Sequence, residues 1–60
     1  MRIGIDAMGG DYAPLEAVKG ASVAASILSG VELVLFGSKS AIEDVCRTEG
    51  IEISQFTVVD

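Results

Sequence analysis

The rhythm of apolar and polar residues changes repeatedly along this chain, and each change marks an element. Arg2 to Asp6 reads as a short strand, because β-branched Ile3 and Ile5 run into a glycine-rich turn. Pro14 fits the first turn of a helix, where the amide it lacks would have had no intrahelical partner. Leu15, Val18, Ser22, Ala25 and Leu28 then recur at helical spacing until Ser29-Gly30 stops the run, which predicts a helix of about four turns. Val31 to Phe36 contains Leu33-Val34-Leu35-Phe36, apolar without alternation, as in a strand covered on both faces. After the Gly37-Ser38 turn, Ser40-Ala41-Ile42-Glu43 matches the S-x-x-E capping box. It predicts a second helix that begins near Ala41, buries Ile42, Val45 and Cys46, and ends at Gly50. Phe56-Thr57-Val58-Val59 reads as a third strand that delivers Asp60 to the carboxyl edge of a sheet.

The order β-α-β-α-β is the opening half-unit of a doubly wound parallel α/β sheet with right-handed crossovers. Two helices cannot cover both faces of three apolar strands. A strand order of 3-2-1 leaves one face bare, whereas 2-1-3 half-covers each. The first helix is slim-sided, with Ala17, Gly20, Ala21, Ser22, Ala24, Ala25 and Ser26 along it. Gly20 costs about 1 kcal/mol relative to alanine in a helix interior, so it is expected to permit tight docking on the sheet.

Composition supports a part rather than a whole. The chain has 60 residues, half of them apolar, and a mean hydropathy of +0.54. So short a chain buries only about 60% of its unfolded surface. Residues 1–60 are therefore expected to be a single partial domain, the amino-terminal fragment of a larger α/β catalytic domain. Four basic against nine acidic residues give a net charge of −5, which repels nucleic acid and anionic membrane surfaces. The lone Cys46 makes no internal disulfide, and without histidine or C-x-x-C there is no zinc pattern. No apolar run reaches the length of a signal peptide core or a membrane span, and the expected compartment is the cytoplasm.

The candidate chemistry lies in the first β-α connection. Asp6 ends its strand and Asp11 precedes the helix, so both carboxylates are expected at one mouth. Between them Gly9-Gly10 can take positive φ and present a concave row of amides to a phosphate or a developing oxyanion. Each acid also has a plain structural role, Asp11 as a helix cap and Asp6 as an acceptor for the loop's own amides. Met8 and Tyr12 flank the glycines and either pack the loop or line a passage for an acyl or pantetheine arm. Two carboxylates beside a phosphate need a cation. Arg2 is at the wrong end of its strand and Lys19, Lys39 and Arg47 lie on or near helices, so either a metal ion or later Lys/Arg completes the site, or these acids bind donors such as amides and hydroxyls rather than the phosphate itself. The G-x-G-x-x-G and G-x-x-x-x-G-K-[ST] fingerprints are absent, which speaks against nicotinamide chemistry and leaves Asp60 without a ribose to bind.

The run Ile3-Gly4-Ile5-Asp6-Ala7-Met8-Gly9-Gly10-Asp11-Tyr12-Ala13-Pro14, with its D-A-M-G-G-D-x-A-P core, resembles the amino-terminal signature of the bacterial phosphate acyltransferases. The sequel is similar as well, with Glu16 and Gly20 in the helix and Glu32 to Gly37 after it, so the likeness spans the chain but only the opening part of that family's length. The resemblance implies a three-layer fold similar to phosphotransacetylases and to isocitrate and isopropylmalate dehydrogenases. It also implies a homodimeric cytoplasmic enzyme of phospholipid synthesis that moves a fatty acyl group from acyl-carrier protein to inorganic phosphate, with no cofactor. On these residues it places Asp11 and Asp6 as catalytic and Gly9, Gly10, Met8 and Tyr12 as substrate-binding. Peripheral membrane contact would come only from segments beyond these residues. Two alternatives stay open: a nucleotide- or Mg²⁺-binding Rossmann-like module in which Asp6 and Asp11 hold the metal, and a non-catalytic fragment that needs a partner to fold.

Overall fold

In a computed structural model that describes residues 1–60, three strands pair in parallel in the order β1 (Arg2–Asp6), β2 (Glu32–Phe36), β3 (Phe56–Val59). Helix α1 (Leu15–Ile27) joins the first pair and α2 (Lys39–Glu49) the second, followed by a short 3₁₀ turn at Ile53–Gln55. The strand whose sequence is apolar without a break takes the centre. Leu33, Val34 and Leu35 of β2 are all buried: the two neighbouring strands flank it, the helices cover the face that carries Leu33 and Leu35, and side chains of the adjacent strands shield Val34 on the other. Ile5 stands opposite Leu35 and Leu33 opposite Phe56.

Of the two strand orders the sequence allows, the structure adopts 3-2-1. Two successive crossovers in the same direction put both helices on one face. Val18 and Ala21 of α1 and Ile42 and Cys46 of α2 share a single core with Ala7, Leu33, Leu35 and Phe56, and Ile5 and Val58 pack against it. Leu35, Ile42 and Val18 are the largest fully buried side chains. Burying a side chain of this size contributes roughly 1.5–3 kcal/mol.

Strand alternation sends Arg2, Gly4, Glu32, Val34, Phe36, Thr57 and Val59 to the opposite face. There the amino end is polar: Arg2 Nε lies 3.0 Å from Glu32 Oε1, and Thr57 Oγ1 donates to Glu32 Oε2 at 2.8 Å, so one carboxylate links all three strands. Such exposed pairs contribute little stability, but they satisfy the polar groups in register. The carboxyl end carries Phe36 and Val59, with Asp6 opposite Phe36. A Cβ at Gly4 would lie 2.9 Å from Phe36 Cε2, so the missing side chain lets the aromatic ring settle onto the neighbouring strand. Phe36 and Val59 are still 47% and 44% exposed.

Local details correct several sequence expectations. Pro14 is one residue before α1 rather than in its first turn, and its carbonyl accepts the Val18 amide at 3.0 Å. Asp11 is therefore too far upstream to cap α1. Helix α2 begins at Lys39, two residues earlier than expected, and its cap is Ser38, whose Oγ accepts from Ala41 N at 3.3 Å. Ser40 falls inside the first turn with its Oγ 3.2 Å from that of Ser38. Asp60 explains the early start, because its Oδ2 accepts the Lys39 amide at 3.3 Å and satisfies another orphan donor. The other end is as expected: Gly50 closes α2 with φ 71°, and the Ile51 amide returns to Cys46 O. Gly20 does not dock on the sheet. It is exposed, and a Cβ there would meet nothing within 4 Å.

Cys46 is 3% exposed, and burial pushes its thiol pKa up. The unfolded chain releases that proton near the ordinary thiol pKa of about 8.5, while the folded chain keeps it. Stability from this group is thus intact below the unfolded value and is lost as pH rises through the raised folded value. Thiol labelling of the native protein should accordingly be slow at neutral pH and should accelerate together with unfolding under alkaline conditions; rapid labelling of a fully folded sample would contradict the burial. The caps separate just as cleanly. Ser38→Ala should lower unfolding free energy by about 1 kcal/mol and Ser40→Ala by much less, as read by urea denaturation.

Candidate active-site loop

The parallel ladder continues one residue past β1. Ala7 N donates to Phe36 O at 2.9 Å, and Gly37 N donates to Val59 O at 3.0 Å. These bonds bring the ends of all three strands to a common edge, and Ala7 is wholly buried beneath it. The chain then turns sharply. Met8 N donates to Asp6 Oδ1 at 3.0 Å, the side-chain-to-backbone bond by which an aspartate folds the two residues after it. A Cβ at Gly9 would lie 3.3 Å from Asp6 Oδ2, so the bare α-carbon allows the carboxylate to lie against the loop.

Of the two glycines expected to adopt positive φ, only Gly10 does, at 95°. A single left-handed residue following one of the opposite sign is the alternation that turns successive amides to one side. The amides of Gly9, Gly10 and Asp11 donate to no group within the chain, and residues 8–12 are exposed. The loop therefore offers main-chain donors with no internal acceptor. It is an open edge: the cavity of the chain, about 250 Å³, lies elsewhere and is lined by Leu15, Asp44, Val45, Thr48 and Glu49.

The sequence-assigned residues thus separate into two groups. Asp6, Met8 and Gly9 are drawn together, with the Asp6 carboxylate engaged by the loop, which is its plain structural role. Asp11 makes no hydrogen bond or ion pair, and Tyr12 is 74% exposed with its hydroxyl free. A free carboxylate next to unpaired amides can orient a hydroxyl or accept a proton. The cations stand as follows. Arg2 pairs with Glu32 at the opposite end of the sheet and Arg47 with Asp44 on α2. Lys39 opens α2 immediately after the Gly37-Ser38 turn, with its amide on Asp60 Oδ2. No group of three or more Asp, Glu, Cys or His side chains is clustered to hold a metal ion.

Gly37 is the residue that sequence reasoning passed over. A Cβ at this position would lie 2.6 Å from Met8 Cγ and 2.9 Å from Met8 Sδ, so the Met8 side chain crosses the backbone of the second β-α turn. The sequence marks Gly37 as a turn residue, but only parallel register brings it beside Met8.

A family model described as "Fatty acid synthesis protein" matches residues 1–60, the whole chain. The chain belongs to that family. Among its curated relatives, the "Phosphate acyltransferase" of Caldicellulosiruptor saccharolyticus is 40% identical over 60 residues, covering 100% of this chain and 18% of the relative. The protein of the same name from Leuconostoc mesenteroides is 45% identical over 47 residues, covering 78% of this chain and 14% of the relative. That from Gloeobacter violaceus is 60% identical over 42 residues, covering 70% and 12%. The chain spans less than a fifth of the length of these relatives. No solved structure matches it.

The two roles of Asp6 can be told apart by exchange. Asp6→Ala removes the acceptor for Met8 N and should speed hydrogen exchange of the Met8 amide severalfold, whereas Asp6→Asn keeps an oxygen at that place and should leave it close to wild type. Wild-type exchange in Asp6→Ala would mean that the turn does not depend on the side chain.

Proposed function

We propose that, within the full-length protein, the first β-α loop is part of the site at which a fatty acyl group passes from acyl-carrier protein to inorganic phosphate. The observation that carries this reading is the row of unpaired amides at Gly9, Gly10 and Asp11, set at the carboxyl edge where α/β sheets bind ligands. The names of the relatives and the D-A-M-G-G-D-x-A-P run support it.

In this reaction a phosphate oxygen attacks the thioester carbonyl and a tetrahedral oxyanion forms. The C–O bond is made, the C–S bond breaks, and the carrier's sulfur leaves as thiolate and takes up a proton. Main-chain donors suit both the incoming anion and the oxyanion, because they are prepaid in folding and need no reorientation as charge develops. Asp11, unengaged by the fold, orients phosphate through its hydroxyl or receives its proton; Asp6 holds the loop in shape. Met8 and Tyr12 lie on either side of the glycines, where an acyl or pantetheine arm would pass. Cations from the rest of the polypeptide offset the repulsion between carboxylates and phosphate. The same reading takes acyl-carrier protein and phosphate as partners, no cofactor, and a homodimer in the cytoplasm that touches membrane only through other segments.

The test uses full-length protein. Thiol release from acyl-carrier protein should require phosphate and yield acyl phosphate, and Asp11→Ala should lower kcat by about 10²-fold, in the range of general acid–base contributions. Release that is independent of phosphate would exclude the assignment.

A further inference from the structure

We propose that Gly37 is a positioning residue for the anion-facing loop, acting through Met8. The inference rests on the loop's role given above and extends the site to a second β-α turn that has no chemistry of its own. Three contacts locate the loop at the sheet edge. Two are hydrogen bonds, Ala7 N to Phe36 O at 2.9 Å and Met8 N to Asp6 Oδ1 at 3.0 Å. The third is apolar: Met8 lies over Gly37 so closely that a Cβ there would be 2.6 Å from its Cγ, 2.9 Å from its Sδ and 3.5 Å from Ala7 Cβ. Real Cβ contacts are not that short, so any larger residue at position 37 must displace Met8. Met8 clears such a residue by turning about its side-chain bonds or by moving its backbone, and a backbone move is passed to the amides of Gly9 and Gly10 that follow it directly. Gly37 itself is fixed, since its own amide is tied to Val59 O at 3.0 Å. The loop therefore takes its height above the sheet from a neighbour that β3 holds in place.

A misplacement of about 1 Å in a pre-organised site can cost 10²-fold in rate. In full-length protein Gly37→Ala should raise the KM for phosphate and lower kcat/KM by about that factor. Combining it with Met8→Ala removes the clash with Met8 but leaves the φ of 159° at position 37, so kcat/KM should recover severalfold toward the level of Met8→Ala alone. Hydrogen exchange of the peptide spanning residues 7–13 should change in Gly37→Ala and revert toward the Met8→Ala pattern in the double variant, a readout that does not depend on which reaction is catalysed. If Gly37→Ala fails to fold, Met8→Ala carries the test. It removes the contact while leaving Gly37 in place and should raise the phosphate KM and loosen the same peptide. Wild-type kinetics and exchange in Gly37→Ala, or in Met8→Ala where that variant carries the test, would overturn the proposal. So would a double variant no better than Gly37→Ala, because the defect would then belong to position 37 alone. Altered exchange in a protein whose wild type shows no phosphate-dependent release would instead sink the proposed reaction and leave the positioning role standing.

Discussion

The last rungs of the parallel ladder hold the rest of the structure in place. Ala7 bonds to Phe36 and Gly37 bonds to Val59 beyond the formal ends of β1 and β2, so the chain leaves each strand at the same level. A turn that began a residue earlier or later would invert which side chains face the core, and Ala7 would lose its burial. Main-chain hydrogen bonding thus sets where the glycines sit, and the side chains adjust the result: Asp6 closes the turn and Met8 rests on Gly37.

The two faces of the sheet have different characters for a reason visible in the strand order. With both crossovers in one direction, every helix contact falls on one side, and that side holds the continuous core from Val18 to Phe56. The other side has only short-range measures. Glu32 gathers Arg2 and Thr57, and Phe36 folds over Gly4. Those measures dry Val34, but Phe36 and Val59 stay about half exposed, an apolar strip of the kind that larger α/β proteins cover with a further layer.

Much of this was legible in the residues. The element order and the central strand follow from local pattern, because Leu33-Val34-Leu35 and the helical spacing of Val18 and Ala25 are strong short-range signals. The Gly50 stop and the burial of Cys46 were equally plain. What the pattern could not supply is long-range. Strand order needed the choice between two crossovers that the sequence treats alike. Ser38 outcompeted Ser40 as a cap because Asp60, distant in sequence, reaches the Lys39 amide. Gly20 reads as a packing residue in the helical pattern, yet it is exposed with no neighbour to pack on. In the candidate site, Asp6, Gly9 and Gly10 were marked by the motif, whereas the contact between Met8 and Gly37 arises only once β1 and β2 align. Asp11 shows the limit of a local rule, since the turn through Tyr12 to Pro14 moves it out of capping range.

Each strand here pairs with the next one synthesised: Arg2 faces Glu32, and Leu33 faces Phe56. No strand has to wait for a distant segment before it finds its neighbour, and the intervening helix can close each unit as it forms. The sheet can therefore assemble in the order in which its strands emerge from the ribosome, leaving two unpaired outer edges and one apolar face open to pairing and packing.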